Sequence, residues 1–368
     1  MAYIQTTDEL TIELHPSWDA ALIVAHNNTR KKFLVSSPVL RVTSKYFNAL
    51  FASQFEEGTK IQTGLKPDIT LPDANLEAME IILSILHYKY QDGWYTLSAK
   101  MFAVVAMHCE KFFCATSLTP WVNQWLANFG QMECGDIGYL LVATATLGEG
   151  ANFQKMSKAA VLQLPLDFDF EAWSTDEVLS ALPDGVVRSI TRKMRGVQRR
   201  LYSLLQEIII DLGRNQSEIG RMDSSRCSKC LRVYKRDRNT YCPNCEPLNG
   251  EVPGGCDFPV FCSSETRVAE CTLMFTKYQL YPNEKVWRNG TIAEIARRFN
   301  MVRETSTHRC DLDQNCPLKK RLSELDDAVV GVIDSIRGWK LKPIATDEAT
   351  ANANGENEAI KEVDCEGR

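Results

Sequence analysis

Phe33-Leu34-Val35-Ser36-Ser37-Pro38-Val39-Leu40-Arg41-Val42-Thr43-Ser44-Lys45-Tyr46-Phe47-Asn48-Ala49-Leu50-Phe51-Ala52-Ser53-Gln54-Phe55 is the stretch around which the rest of the chain is organised. It begins as the apolar end of a strand and turns at Ser36-Ser37-Pro38, where hydroxyls and a proline favour a turn. It then reads as two short helices with Val39, Leu40, Tyr46, Phe47, Leu50, Phe51 and Phe55 as the buried side chains. None of these residues has catalytic chemistry. The stretch reads as the packing centre of an interaction domain.

Upstream, residues 1–16 read as an irregular lead-in. Trp18 to Ala25 is a short apolar run that suits a buried strand. His26 to Thr29 supplies turn chemistry, and Lys31 to Val35 is the returning hairpin strand. Downstream, Glu56-Glu57-Gly58 closes the second short helix, and Thr59 to Pro67 is a loop. Asp68 to Pro72 is a third strand stopped by proline. Asp73-Ala74-Asn75 caps a helix with Leu76, Met79, Ile82, Leu83 and Leu86 on its buried face. Asp92-Gly93 is a turn. Ser98 caps the next helix, which carries Phe102, Val105, Ala106 and Cys109. The last helix is entered at Thr119-Pro120, with the proline in its first turn. This order implies an α/β (α+β) domain, a small sheet capped by helices.

These blocks resemble a BTB/POZ domain, and more closely the fungal type. The matching residues are Phe33 to Arg41, Ser44-Lys45-Tyr46-Phe47 and Phe51. Ile69 to Asp73, Glu77 to Glu80, Ile85-Leu86-His87, Pro120-Trp121 and Trp125-Leu126 match as well. The family often has Asp-Lys-Tyr where this chain has Glu110-Lys111-Phe112. Animal members usually have histidine at the position of Ser36. The resemblance covers roughly residues 17–128, within an expected domain of 17–130. It implies an interaction core of Phe33, Leu40, Tyr46, Phe47 and Phe51. It also implies a homodimer or partner-binding domain, and some BTB proteins serve as adaptors for cullin-type ubiquitin ligases. This chain shows no kelch or ankyrin repeat, and no clear apolar-x-Glu element follows His87.

Residues 131–182 read as a helical extension, as is common after a BTB domain. Residues 183–225 read as a long basic helix, with Asp184 as its N-cap. Val187, Ile190, Met194, Val197, Leu201, Leu204 and Ile208 alternate by three and four along it. Leu318, Leu322, Leu325, Val329, Val332, Ile336 and Trp339 repeat that alternation in a C-terminal helix over 318–342. Each seam either packs inside its own chain or forms an intermolecular coiled coil. Residues 343–368 are acidic and lack aromatics, so they read as a disordered tail.

Nine of the thirteen cysteines fall between Cys227 and Cys316. No secretion signal is visible, which points to a reducing compartment where clustered cysteines are more often metal ligands than disulfides. Cys109, Cys114 and Cys134 read as small buried side chains. Cys227-x-x-Cys230 and Cys242-x-x-Cys245 are two knuckles separated by eleven residues. Four thiolates so spaced suit a structural zinc ion, and the intervening residues can fold as a hairpin. The alternative is four reduced, unligated thiols. A second set, Cys256, Cys262, Cys271, His308, Cys310 and Cys316, could hold another zinc but fits no spacing template. Its alternative is a small core around Cys271 with the rest exposed. The whole of 226–317 reads as a cysteine-rich, zinc-binding insert.

The chain carries a net charge of -5, which gives no global argument for nucleic acid or an anionic membrane. From Gly185 to Cys245, however, 14 Lys or Arg face 5 Asp or Glu. A nuclear regulator touching nucleic acid through this segment is therefore the alternative function. No apolar run approaches a membrane span. No nucleophile constellation or Gly-rich phosphate loop is visible. The expected function is a non-enzymatic protein-interaction scaffold, nuclear or cytoplasmic, with structural zinc.

Overall fold

The computed structural model describes residues 9–26, 29–130, 133–214, 224–226, 233–235, 263–282, 284–304 and 316–341. Strands β1 (Glu9–Glu13), β2 (Ala20–His26) and β3 (Thr29–Val35) come first. Helices α1 (Ser37–Thr43), α2 (Lys45–Leu50) and α3 (Glu56–Gln62) follow, then β4 (Asp68–Thr70). Helices α4 (Leu76–Leu86), α5 (Ala99–Lys111) and α6 (Thr119–Asn128) complete the N-terminal unit. The sheet has the order β1-β3-β2-β4. β2 runs antiparallel to β3, with Leu22 opposite Phe33. β1 joins β3 in parallel, and β4 joins β2 in parallel. Leu22, Val24, Phe33 and Val35 alternate onto one buried face, beneath α4.

Several local readings need correction. The lead-in is not irregular throughout, because β1 pairs with β3 from Glu9↔Arg30 to Glu13↔Leu34. A five-residue strand with alternating polarity is stabilised by its partner strand, which local sequence does not reveal. Glu56-Glu57-Gly58 does not close a helix but opens α3. Glu56 and Glu57 stand in its positive first turn, and Glu56 pairs with Lys60 one turn on at 2.5 Å. Gly58 serves close packing, since a Cβ there would lie 2.1 Å from the Ala52 carbonyl oxygen. Phe55, expected inside, precedes α3 and is 45% exposed.

The chain continues through α7 (Asp136–Thr146), α8 (Gly150–Gln163), α9 (Glu171–Thr175) and the long α10 (Val186–Arg214). A hairpin of β5 (Ser224–Arg226) and β6 (Val233–Lys235) follows, so the segment to 225 is not helical to its end. Then come α11 (Ser264–Lys277), α12 (Glu284–Asn289), α13 (Ile292–Glu304) and α14 (Pro317–Asp334). Residues 226–317 are thus not one insert. Their later part is helical and packs onto α10, α8 and α14 through Phe275, Ile295 and Phe299. Asp184 is one residue too early to be the N-cap, because Gly185 stands in the left-handed region at φ 80° and its carbonyl accepts from Ser189.

The two seams lie within one chain. α10 buries Ile190, Met194, Val197, Leu201, Leu204 and Ile208, and α14 buries Leu318, Leu322, Leu325 and Val329 against it. Arg321 meets Asp211 at 3.4 Å. α10 runs only three residues past Asp211, whereas α14 runs thirteen past Arg321. The seams can therefore lie along each other only if the helices are antiparallel. The C-terminal helix stops at Asp334, short of the expected 342. Beyond it the Gly338 backbone crosses α8 so closely that a Cβ would lie 1.7 Å from the Gln154 carbonyl oxygen. The Trp339 N–H donates to Ser157 Oγ at 2.9 Å. One continuous apolar core runs from the sheet through α5, α7, α8 and α10 to α14.

Candidate interaction surface and cysteine-rich segment

The residues read as an interaction core support a surface from beneath. Phe33, Leu40, Phe47 and Phe51 are buried, and Tyr46 is half-buried. Phe47 stacks on Phe112 with ring centroids 5.7 Å apart and on Phe51 at 6.0 Å. Tyr46 meets Phe112 edge-on at 5.2 Å. Ser44 ties these helices to α5: its hydroxyl accepts from the Phe47 N–H at 3.1 Å and donates to the Phe112 carbonyl at 2.6 Å. Asp19 holds the entry to α1, accepting from both the Ser37 N–H and the Ser37 hydroxyl at 2.6 Å.

His87 and His108 are struts rather than bases. The His87 Nδ1–H donates to the Leu83 carbonyl at 2.8 Å, and Nε2 accepts from the Ser36 N–H at 3.1 Å. His108 repeats this between the Val104 carbonyl and the Asn75 N–H, both at 2.8 Å. An imidazole that donates at one nitrogen and accepts at the other is neutral. Burial holds both pKa values below the ordinary histidine value. His108 lies in α5 and His87 is the residue directly after α4, and neither strut is announced by the sequence. Their long-range partners, 51 and 33 residues away, were not legible in it.

Above this framework stand apolar side chains that the sequence reading did not single out. Val42 at the end of α1 is 88% exposed, and Phe113 after α5 is 63% exposed. The two segments are joined, since Lys45 N–H donates to the Phe113 carbonyl and Ser117 Oγ to the Thr43 carbonyl. Tyr88 after α4 is 87% exposed. Tyr88 and Phe113 both hold positive φ, 58° and 48°, at helix C-terminal positions where glycine is usual. Aromatic residues in that region are strained, and here their rings are turned outward. The left-handed turn is legible only once helix ends are known.

The cysteines divide. Cys109 and Cys114 are buried as expected, whereas Cys134 is half-buried. Of the second cysteine set, Cys271 and Cys316 are buried, the first inside α11 and the second at the start of α14. Burial pushes the Cys271 thiol up to about 12, so it is protonated near neutral pH. Cys316 does not fit the expectation that the rest of the set would be exposed. Cys227, Cys230, Cys242, Cys245, Cys256, Cys262, His308 and Cys310 lie outside the described residues. The β5–β6 pairing, Arg226↔Val233, brackets the first Cys-x-x-Cys, whereas a hairpin was expected between the two knuckles. Among the described residues, no three His, Cys, Asp or Glu side chains are grouped to hold a metal. No described helix is long and apolar enough to cross a membrane.

Residues 13–117 match the BTB/POZ domain family model, in agreement with the mixed sheet, the helices around it and the resemblance of Phe33 to Phe55. Domains of this family are interaction modules that often dimerise or bind cullins. No curated protein and no solved structure matches the chain.

Proposed function

We propose that this chain is a non-enzymatic interaction scaffold whose BTB/POZ region, of the fungal type, self-associates, and whose cysteine-rich segment holds structural zinc. The family match over residues 13–117 is the observation that carries the first part. Val42 and Phe113, exposed on adjoining segments over a rigid aromatic core, support it, because clustered apolar exposure marks association surfaces. The test is sedimentation velocity of the full chain. A dimer is expected, weakened by V42D combined with F113D. A monomer at every attainable concentration would overturn self-association. Recovery of a cullin in a clean pull-down would narrow the scaffold to a ubiquitin-ligase adaptor.

The zinc reading rests on donor chemistry: four thiolates in two Cys-x-x-Cys pairs suit a closed tetrahedral site. Zinc, when bound, supplies folding free energy to the residues around it. Native mass spectrometry of the full chain should find one zinc ion lost in C230A or C242A, with the surrounding region becoming protease-sensitive. Zero zinc in the unaltered chain sinks this reading.

A further inference from the structure

α10 carries an arginine ridge opposite its buried seam. At about 100° per residue, Arg188, Arg192, Arg195 and Arg199 fall within about 60° of one another. They stand on the side away from Ile190, Met194, Val197 and Leu201. All four are exposed. The ion pairs of α10 among the described residues are Arg200 with Glu207 and Asp211 with Arg321, and neither involves the ridge. Asp167, Asp169 and Glu171 share a cleft of about 350 Å³ with Arg195 but form no ion pair with it. Like charges three and four residues apart work against a helix unless counter-charge covers them.

The same chain supplies that counter-charge nearby. Residues 343–368 contain seven carboxylates, Asp347 to Glu366, against Lys361 and Arg368, a net -5. Because α14 runs antiparallel to α10 with Arg321 beside Asp211, Asp334 stands about level with Gln198, at the ridge's C-terminal end. Gly338 and Trp339 are then held on α8, which also packs on α10. The described chain stops at Leu341. The ridge spans about 17 Å at the helical rise per residue. A 26-residue segment spans about 28 Å even as a random coil, so reach is not limiting.

We propose that the acidic segment 343–368 lies along the Arg188–Arg199 ridge of its own chain and shields it from nucleic acid and other polyanions. Tethering makes the contact intramolecular, so individually weak pairs suffice. The test uses the full chain and a fluorescein-labelled DNA duplex at low salt, where charge contacts are least screened. One variant neutralises the tail with D347N, E348Q, E356Q, E358Q, E362Q, D364N and E366Q. It should bind the duplex at least about tenfold more tightly than the unaltered chain. Adding R188Q, R192Q, R195Q and R199Q should abolish that gain. Adding instead R41Q, K45Q, K66Q and K89Q, an equal charge change elsewhere, should preserve it. Equal duplex affinity with and without tail charge overturns the proposal, whether that affinity is high, as for an open nucleic-acid surface, or undetectable. A gain removed equally by both sets of four substitutions also overturns it, because it would then reflect net charge alone.

Discussion

The N-terminal unit and the helical C-terminal half bury their side chains by different geometry. In the first, β2 and β3 present alternate residues to one face, and short capped helices close over it. In the second, long helices bury one seam each along another helix. Strand alternation, a proline turn and specific caps name an architecture. A heptad seam states only that one face is covered, not by what. The difference is one of information, since the two halves share a continuous core.

That shared core can be broken at either end. Phe47→Ala, which removes a fully buried ring stacked on Phe51 and Phe112, should cost about 3–5 kcal/mol. Leu201→Ala, fully buried in the middle of the α10 seam, should cost about 2–5 kcal/mol. Denaturant unfolding followed by both tryptophan fluorescence and circular dichroism should show one shifted transition for each variant. Two separated transitions would show that the halves fold apart and that the continuous core couples them only weakly.

The histidine struts give the N-terminal unit a pH dependence near neutrality, and no histidine lies among the described residues of the helical half. Their folded pKa values lie below the ordinary value of about 6.5, so the unfolded chain takes up protons first on acidification. Their contribution is fully present above about pH 6.5 and is lost as pH falls through the lowered folded values. Stability measured from pH 7.5 downward should therefore decline, and His87→Gln should make the decline shallower. An unchanged slope in that variant would remove His87 from the account. The smallest effect expected is at a cap. Asn75 accepts from the Glu77 and Ala78 N–H groups, and Asn75→Ala should cost about 1 kcal/mol in the same denaturant assay.

Much of the N-terminal unit was legible because its signals are local. Pro38 and Pro120 stand in the first turns of α1 and α6, and Ser98 and Asn75 cap the helices they precede. The failures were also local in cause. Gly58 resembles a helix stop, and only the Ala52 carbonyl beside it shows why glycine is needed there. β1 has too few residues to announce itself without β3. In the C-terminal half, α11 and α13 went unread because the cysteines around them suggested a single insert. Their apolar residues, Phe275, Ile295 and Phe299, mean little until α10 is placed.

By itself, then, the sequence determined that a strand pair, a proline turn and two short helices around Phe47 form a BTB-like core. Backbone preference and side-chain period act over a few residues and need no distant partner. Only the tertiary structure decided which surface covers each seam and that His87 and His108 are neutral struts. Each of these depends on groups brought together from tens or hundreds of residues apart, and a linear pattern does not record such proximity.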